Sequence, residues 1–371
     1  MAVFCRDVME AVEKIAPREL AEKWDNVGLL VGNPAEKVEK IIVALDVTPE
    51  VVEEALQEGA HMIVSHHPLI FKPLTHVRAD TPMGDMLFKL IKNNVKVYAA
   101  HTNLDNYEWG TNYFLAQKLG LEETEILKPA EEGLYKIVVF VPRGYEDRVR
   151  DAMGDAGAGW IGNYSHCSFM APGTGTFKPL EGADPFIGSK GKLEKVEELR
   201  LETIVPESLR NKVIRAMLNA HPYEEVAYDV YRLENNGSGN GLGRIGYLKE
   251  EMSLYDFGEK VKRDLGIKHV KLAGPLKKAV RKVAVCGGAG TSAMAAAKKK
   301  GAEVFVSGDI KYHEALEAWQ EGLALVDAGH YATEWAVVPA LAEYLRKEFN
   351  GTEQKVQIMV SQVKTDPWEV I

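Results

Sequence analysis

Cysteine is scarce in this chain: Cys5, Cys167 and Cys286 lie far apart, with no Cys-x-x-Cys spacing. That excludes a disulfide framework and a thiolate zinc site, so any metal must be held by nitrogen and oxygen. Positive charge is not in excess either. Its 45 Lys and Arg face 54 Asp and Glu, for a formal net charge of −9, which gives no bulk attraction for a phosphate backbone or an anionic membrane. There is no basic helix or aromatic-basic stripe, so nucleic acid is not an expected partner. No apolar run approaches the ~20 residues of a membrane span. The N-terminal MAVFCRDVMEAVEKIAP is an amphipathic helix charged throughout rather than a signal peptide, which places the protein in the cytoplasm. What the chain does have is bulk. Its 371 residues, 46% of them hydrophobic, exceed the usual size of one core and predict two or three domains.

From residue 40, apolar runs alternate with helical stretches: KIIVALDV, PEVVEEALQEGA, HMIVSHHP, MGDMLFKLIKNN and VKVYAAHTNLD. This is the rhythm of helices packed on a mainly parallel sheet. The rhythm returns near the C-terminus in KVAVCGG, TSAMAAAKKKGA, EVFVSGD, YHEALEAWQEG and LALVDAGH, followed by a long helix from about Ala332. At a constant offset of 242, Lys40 matches Lys282, Val43 matches Val285, Gly59 and Ala60 match Gly301 and Ala302, and Val64 and Ser65 match Val306 and Ser307. At an offset of 229, Ala99 matches Ala328, His101 matches His330 and Asp105 meets Glu334. The expectation is a duplicated α/β core with helices on both sides of mainly parallel sheets.

Between the halves, residues 130–235 have another character and their own repeat. At an offset of 64, Val141-Pro142 matches Val205-Pro206, Val149 matches Val213, and Ala152-Met153 matches Ala216-Met217. Two such units predict an inserted ferredoxin-like α+β domain. The intervening GNYSHCSFMAPGTGTFKPLEGADPFIGSKGK is rich in Gly, Pro and Ser and predicts a hairpin with mobile loops, while NNGSGNGLGR at 235–244 reads as a flexible return to the second half. The domains expected are thus 1–129, the first half of the core; 130–235, the insert; and 236–371, the second half.

Chemistry-bearing residues gather at predicted strand ends. His66 and His67 follow a strand apolar on both faces, where an α/β protein places its site. Adjacent histidines point in different directions, which suits two neighbouring ions better than one tetrahedral ion. A second strand end supplies His101 and Asp105, and a third supplies His330 and Glu334. Were a helix to begin near His330, the four-residue spacing would bring imidazole and carboxylate onto one face. Gly329 would allow a positive φ just before it, and a carboxylate such as Glu334 can bridge two cations. The plainer readings are a capping His pair, Asp105 as a helix cap and an exposed helical His330–Glu334 pair.

Taken as a set, WDNVGLLVG at 24–32, SHHPLIF at 65–71, HTNLD at 101–105, SGDIKYHEA at 307–315 and DAGHYATE at 327–334 resemble the motifs of the NIF-three-like family, often labelled GTP cyclohydrolase 1 type 2 homologues. The resemblance implies a dinuclear centre in which His67 and Asp105 hold one ion, His66 and His330 hold the other, and Glu334 touches both. It also implies a toroidal homohexamer with the metal sites facing an internal cavity, and an insert similar to PII and CutA proteins.

Two adjacent cations acidify water and polarise a carbonyl, imine or phosphoryl oxygen, so the expected function is metal-dependent hydrolysis of a small substrate, such as a nucleotide. Three histidines and two carboxylates suit two divalent ions, zinc or iron first and manganese next. His101, Asp309 and His313 are the candidates for moving a proton, or for orienting the ligands instead. The alternative is a non-catalytic regulatory protein whose insert receives an effector, with His221-Pro-Tyr-Glu-Glu225 as a ligand-binding turn. A further rival is phosphate binding at Gly287-Gly288-Ala289-Gly290-Thr291-Ser292, a glycine turn that lacks the Lys-Ser/Thr ending of a P-loop.

Overall fold

A computed structural model describes residues 2–130, 133–162, 164–235, 239–350 and 356–370. The chain divides into two compact units, Met1–Pro129 with Gly239–Ile371, and Ala130–Ser238. Residues 236–238, within the expected flexible return, lie outside the described residues.

Before residue 130 the strands are β1 (Gly28–Val31), β2 (Lys40–Ala44), β3 (Met62–Ser65), β4 (Lys96–Ala99) and β5 (Glu122–Pro129). The second unit contributes β6 (Leu134–Pro142), β7 (Ser168–Phe177), β8 (Glu194–Pro206) and β9 (Tyr228–Leu233). The return to the first unit adds β10 (Gly241–Ser253), β11 (Lys271–Ala273), β12 (Ala279–Val285), β13 (Val304–Ser307), β14 (Ala324–Asp327) and β15 (Gln357–Val360).

The first unit holds two sheets, ordered β1-β4-β3-β2-β15 and β11-β14-β13-β12-β10-β5. β4, β3, β2 and β15 run parallel, with β1 antiparallel at the edge. In the second sheet β12, β13 and β14 are parallel and β11, β10 and β5 are antiparallel additions. β1 stands to β4 as β11 stands to β14, so the duplication continues one strand beyond the register matches visible in the sequence.

Strand periodicity explains why both faces are covered. Ile41 and Val43 of β2 pack with Val8 and Val12 from helix Cys5–Ile15 and with Leu341 and Leu345 from helix Val337–Glu348. Ile42 and Ala44 turn the other way, onto Val51, Val52 and Ala55 of helix Pro49–Gln57 and Leu87 and Leu90 of helix Pro82–Lys92. In the second sheet Val283 and Val285 join Phe257 and Val261, whereas Ala284 joins Ala293 and Ala297. Each such aliphatic side chain removed from water contributes ~1.5–3 kcal/mol. The parallel strands all run into the same kind of end, and the site lies beyond it.

In the second unit the sheet order is β7-β8-β6-β9, antiparallel throughout. Helices Glu146–Asp155 and Arg210–Ala220 cover one face. Val149 and Met153 share a core with Val213 and Met217, over Ile137, Val139, Leu201 and Val205. The residues matched by the internal repeat thus meet in one interior.

Candidate metal centre

β3 stops at Ser65, and the chain passes directly into His66 and His67, whose backbone amides still donate to Ala44 and Leu45. At β4 the chain continues through Ala100 to His101, and helix Thr102–Asp105 brings Asp105 back toward His66. At β14 Gly329, with φ 83°, turns the chain into helix His330–Glu334. One helical turn then sets His330 Nε2 3.0 Å from Glu334 Oε2.

Glu334 is 3% exposed and lies at the centre. Its Oε2 is also 3.0 Å from His67 Nε2, while its Oε1 is 3.9 Å from His66 Nε2. His66 Nε2 in turn lies 3.5 Å from Asp105 Oδ1. Donor atoms therefore converge in two groups with Glu334 in both: His67, His330 and Glu334; and His66, Asp105 and Glu334. A third group joins His66, His67 and His101. The distances set His66 beside Asp105 and His67 beside His330, whereas the resemblance shares the ions between His67 with Asp105 and His66 with His330.

Every ring is held by its Nδ1. His67 Nδ1 donates to Asp46 Oδ1 at 2.7 Å, His330 Nδ1 to Asp309 Oδ2 at 2.8 Å, His101 Nδ1 to Asp25 Oδ1 at 2.9 Å, and His66 Nδ1 to the Ala100 carbonyl at 2.8 Å. Carboxylates and carbonyls only accept, so each Nδ1 carries the hydrogen and each neutral ring offers an Nε2 lone pair to the centre. The His67 and His330 Nε2 atoms, 3.3 Å apart, both face Glu334 Oε2. Lone pairs aimed at one another are tolerated only around a cation or a proton. Two of these buried atoms, His66 Nε2 and Glu334 Oε2, have no hydrogen bond at all, which in a protein interior marks a missing partner. The donor set, imidazole nitrogen and carboxylate oxygen with the opposite ring nitrogen anchored, fits a divalent cation.

Protons take that place when no cation does. Burial opposes charging His67, yet Asp46 and Glu334 push its pKa up to about 10. His330 is likewise opposed by burial but raised to about 9 by Glu334 and Asp309. Burial works against the Glu334 carboxylate too, and His330, His66 and His67 overcome it and hold the carboxyl well below its usual range. Asp105 goes the other way, pushed up by burial against the pull of His66.

The family profile of Duf34/NIF3 (NGG1p interacting factor 3) matches residues 3–367. The chain belongs to this family. Among Duf34/NIF3 relatives, the GTP cyclohydrolase 1 type 2 homolog of Halalkalibacterium halodurans is 47% identical over 365 residues, covering 98% of each chain. That of Bacillus subtilis is 44% identical over 364 residues, covering 98% of this chain and 97% of its own. A solved Bacillus cereus protein related to NIF3 superposes with a TM-score of 0.86 at 47% identity, covering 100% of both chains.

Of the residues singled out as candidates for moving a proton in this Duf34/NIF3 chain, His101 joins the donor cluster and Asp309 anchors His330. His313 does not belong. It is exposed on helix Tyr312–Gln320, with its ring edge-on to Tyr312. The helix starts only at Tyr312, with Glu314 closing back on the Lys311 amide, and this phase faces His313 to solvent.

The glycine turn is not a phosphate cradle. The Gly287 amide donates to Asn112 Oδ1, Gly288 to Thr333 Oγ1 and Gly290 to Ser307 Oγ. Its purpose is space, because a Cβ on Gly288, at φ +60°, would lie 2.0 Å from Glu334 Oε1.

Asp46 and Asp25 escaped the sequence reading. Asp46 follows β2 and also accepts from the Thr365 hydroxyl, and Asp25 also accepts from Thr102. Trp24 and Phe71 stand in the motifs WDNVGLLVG and SHHPLIF, without a role assigned to them there. Trp24 is 60% and Phe71 47% exposed. Their rings are 5.9 Å apart and lie 6.2 and 6.5 Å from that of His101, which itself abuts His66 and His67.

Proposed function

We propose that this protein is a cytoplasmic metal-dependent hydrolase of a small planar substrate such as a nucleotide base, with two divalent cations, zinc or iron, held by His66, His67, Asp105, His330 and Glu334. The observation that carries this reading is the sharing of Glu334 between two donor groups, each completed by histidine nitrogen aimed at a common point. Two cations bound side by side supply a polarised substrate oxygen and water acidic enough to react near neutral pH. The chain's own contribution is positional. Asp46, Asp309 and Asp25 fix the ring orientations, and the depth of Glu334 keeps solvent off its carboxylate.

His101 is the residue best placed to move a proton, since it joins the cluster while Asp25 holds its Nδ1. Trp24 and Phe71, rings left exposed at the rim, offer faces on which a flat heterocycle can stack. The names carried by the relatives, GTP cyclohydrolase 1 type 2 homolog, agree with a purine-like substrate.

Elemental analysis of protein purified without added metal, followed by hydrolysis assays against nucleotides and cyclic amides, tests this. The expected result is two metal equivalents per chain and turnover that is lost in His66→Ala. Equal rates in the two proteins would overturn the hydrolase reading.

A further inference from the structure

The second unit has a face that its helices do not use. Ile137, Val139, Leu201 and Val205 point into the helix-covered core, so the alternate positions Phe140, Glu198 and Arg200 point to the opposite side of the sheet. On that side lies a cavity of about 680 Å³, walled by β7, by segment 178–187 that follows it and by the turn carrying Tyr223, Glu224 and Glu225. Its size is that of a small-molecule pocket.

At its base is Glu198, 8% exposed. Two features of the chain are shaped around this carboxylate. Tyr223 donates its hydroxyl to Oε1 at 3.1 Å, and Gly175 leaves the room that Oε2 occupies, because a Cβ there would sit 2.0 Å from it. The turn presenting Tyr223 is itself fixed. His221 donates from Nε2 to the Phe140 carbonyl at 3.0 Å and accepts at Nδ1 from the Tyr223 amide at 3.1 Å, so both ring nitrogens serve the backbone and neither is free for a ligand.

Around the carboxylate stand aromatic rings. Phe177 and Phe186 lie 6.0 and 6.1 Å from Tyr223 by ring centroid. Of the other charged groups on the wall, Glu224 and Glu225 are negative, Lys178 is positive but exposed on the segment that follows β7, and Arg200 is held by Glu202 at 2.8 Å. An anionic ligand would face three carboxylates here. A purely apolar one would strip water from Glu198 and return nothing. Aromatic faces beside a buried carboxylate are instead complementary to an organic cation.

We propose that this cavity binds a small organic cation, an amine, guanidinium or quaternary ammonium, with Glu198 as its counter-ion and Phe177, Phe186 and Tyr223 as its aromatic wall. The proposal is independent of the hydrolase reading, since none of its residues belongs to the metal centre.

Isothermal titration of the intact, metal-loaded protein with agmatine, spermidine and tetramethylammonium chlorides, and with GTP as the anionic comparison, provides the test. One cation per chain is expected to bind saturably. Glu198→Gln, which keeps the shape and the Tyr223 contact, should weaken that binding at least about tenfold. Phe186→Ala, which also gives up the ring contact with Tyr145 at 5.5 Å, should weaken it about two- to tenfold. A thermal melt of each variant separates lost binding from lost folding. No cation binding below about 10 mM, unchanged affinity in both variants, or GTP binding that Phe186→Ala weakens would overturn the proposal.

Discussion

Gly288 and Glu334, 46 positions apart in sequence, compete for the same space: the side chain that Gly288 lacks would lie 2.0 Å from Glu334 Oε1 and 3.2 Å from His330 Nε2. Gly288→Ala should therefore displace the shared carboxylate and lower metal affinity at least about tenfold, while the positive φ costs a further ~1 kcal/mol of stability. Competition with a chromophoric chelator measures the first effect. Wild-type affinity in the variant would mean that Glu334 does not depend on this clearance.

Asp46 and Asp309 hold the rings of His67 and His330 and would act on a bound cation through them. Replacing either by Asn allows the ring to turn or change tautomer, and a loss of about 10- to 100-fold in metal affinity is expected. Because the two carboxylates orient neighbouring rings, the double variant should depart from additivity. Metal titrations of the two single variants and the pair, as a double-mutant cycle, check this.

Protonated His67 and His330 stabilise the metal-free fold, with pKa values near 10 and 9 against 6.5 for a free ring. A folded-state pKa raised in this way contributes stability fully below about 6.5 and loses it as pH climbs through 9 to 10. Chelator-treated protein should thus show a melting temperature that falls over this interval, whereas protein loaded with zinc should not follow it. Parallel pH-dependent melts of the two forms would decide the matter.

Trp24→Ala should raise KM for a planar substrate about two- to tenfold without changing metal content, since a stacking contact is worth ~0.5–1.5 kcal/mol. Steady-state kinetics alongside elemental analysis separates the two. A fall in bound metal would instead assign Trp24 to holding His101 in place.

The donors that could be found in sequence share one property, their place immediately after an apolar strand or one helical turn beyond it. His66, His67, His330 and Glu334 all meet it, and the repeated register at offsets of 242 and 229 tied their strands into two like sheets. Asp46 also follows a strand, yet nothing in its spacing points to His67, because their hydrogen bond depends on β2 and β3 being neighbours. Asp25 was harder still, in a turn before the short edge strand β1. His313, by contrast, lies outside the cluster, on a helix that begins only at Tyr312, beyond the left-handed backbone at Asp309, φ 54°. The antiparallel edges β1 and β11 were missed as equivalents since GLLV and KLA are too short for a register match.

β15 lies parallel beside β2 although more than three hundred residues separate them, from Gln357 paired with Lys40 to Val360 paired with Val43. A ribosome releases β2 more than three hundred residues before β15. The emerging polypeptide must hold its first sheet with one flank bare until β15 arrives, a long wait for an exposed strand edge. Helix His330–Glu334 appears in the same late stretch, so premature termination before it yields a chain with His66 and His67 but neither His330 nor Glu334 to accompany them.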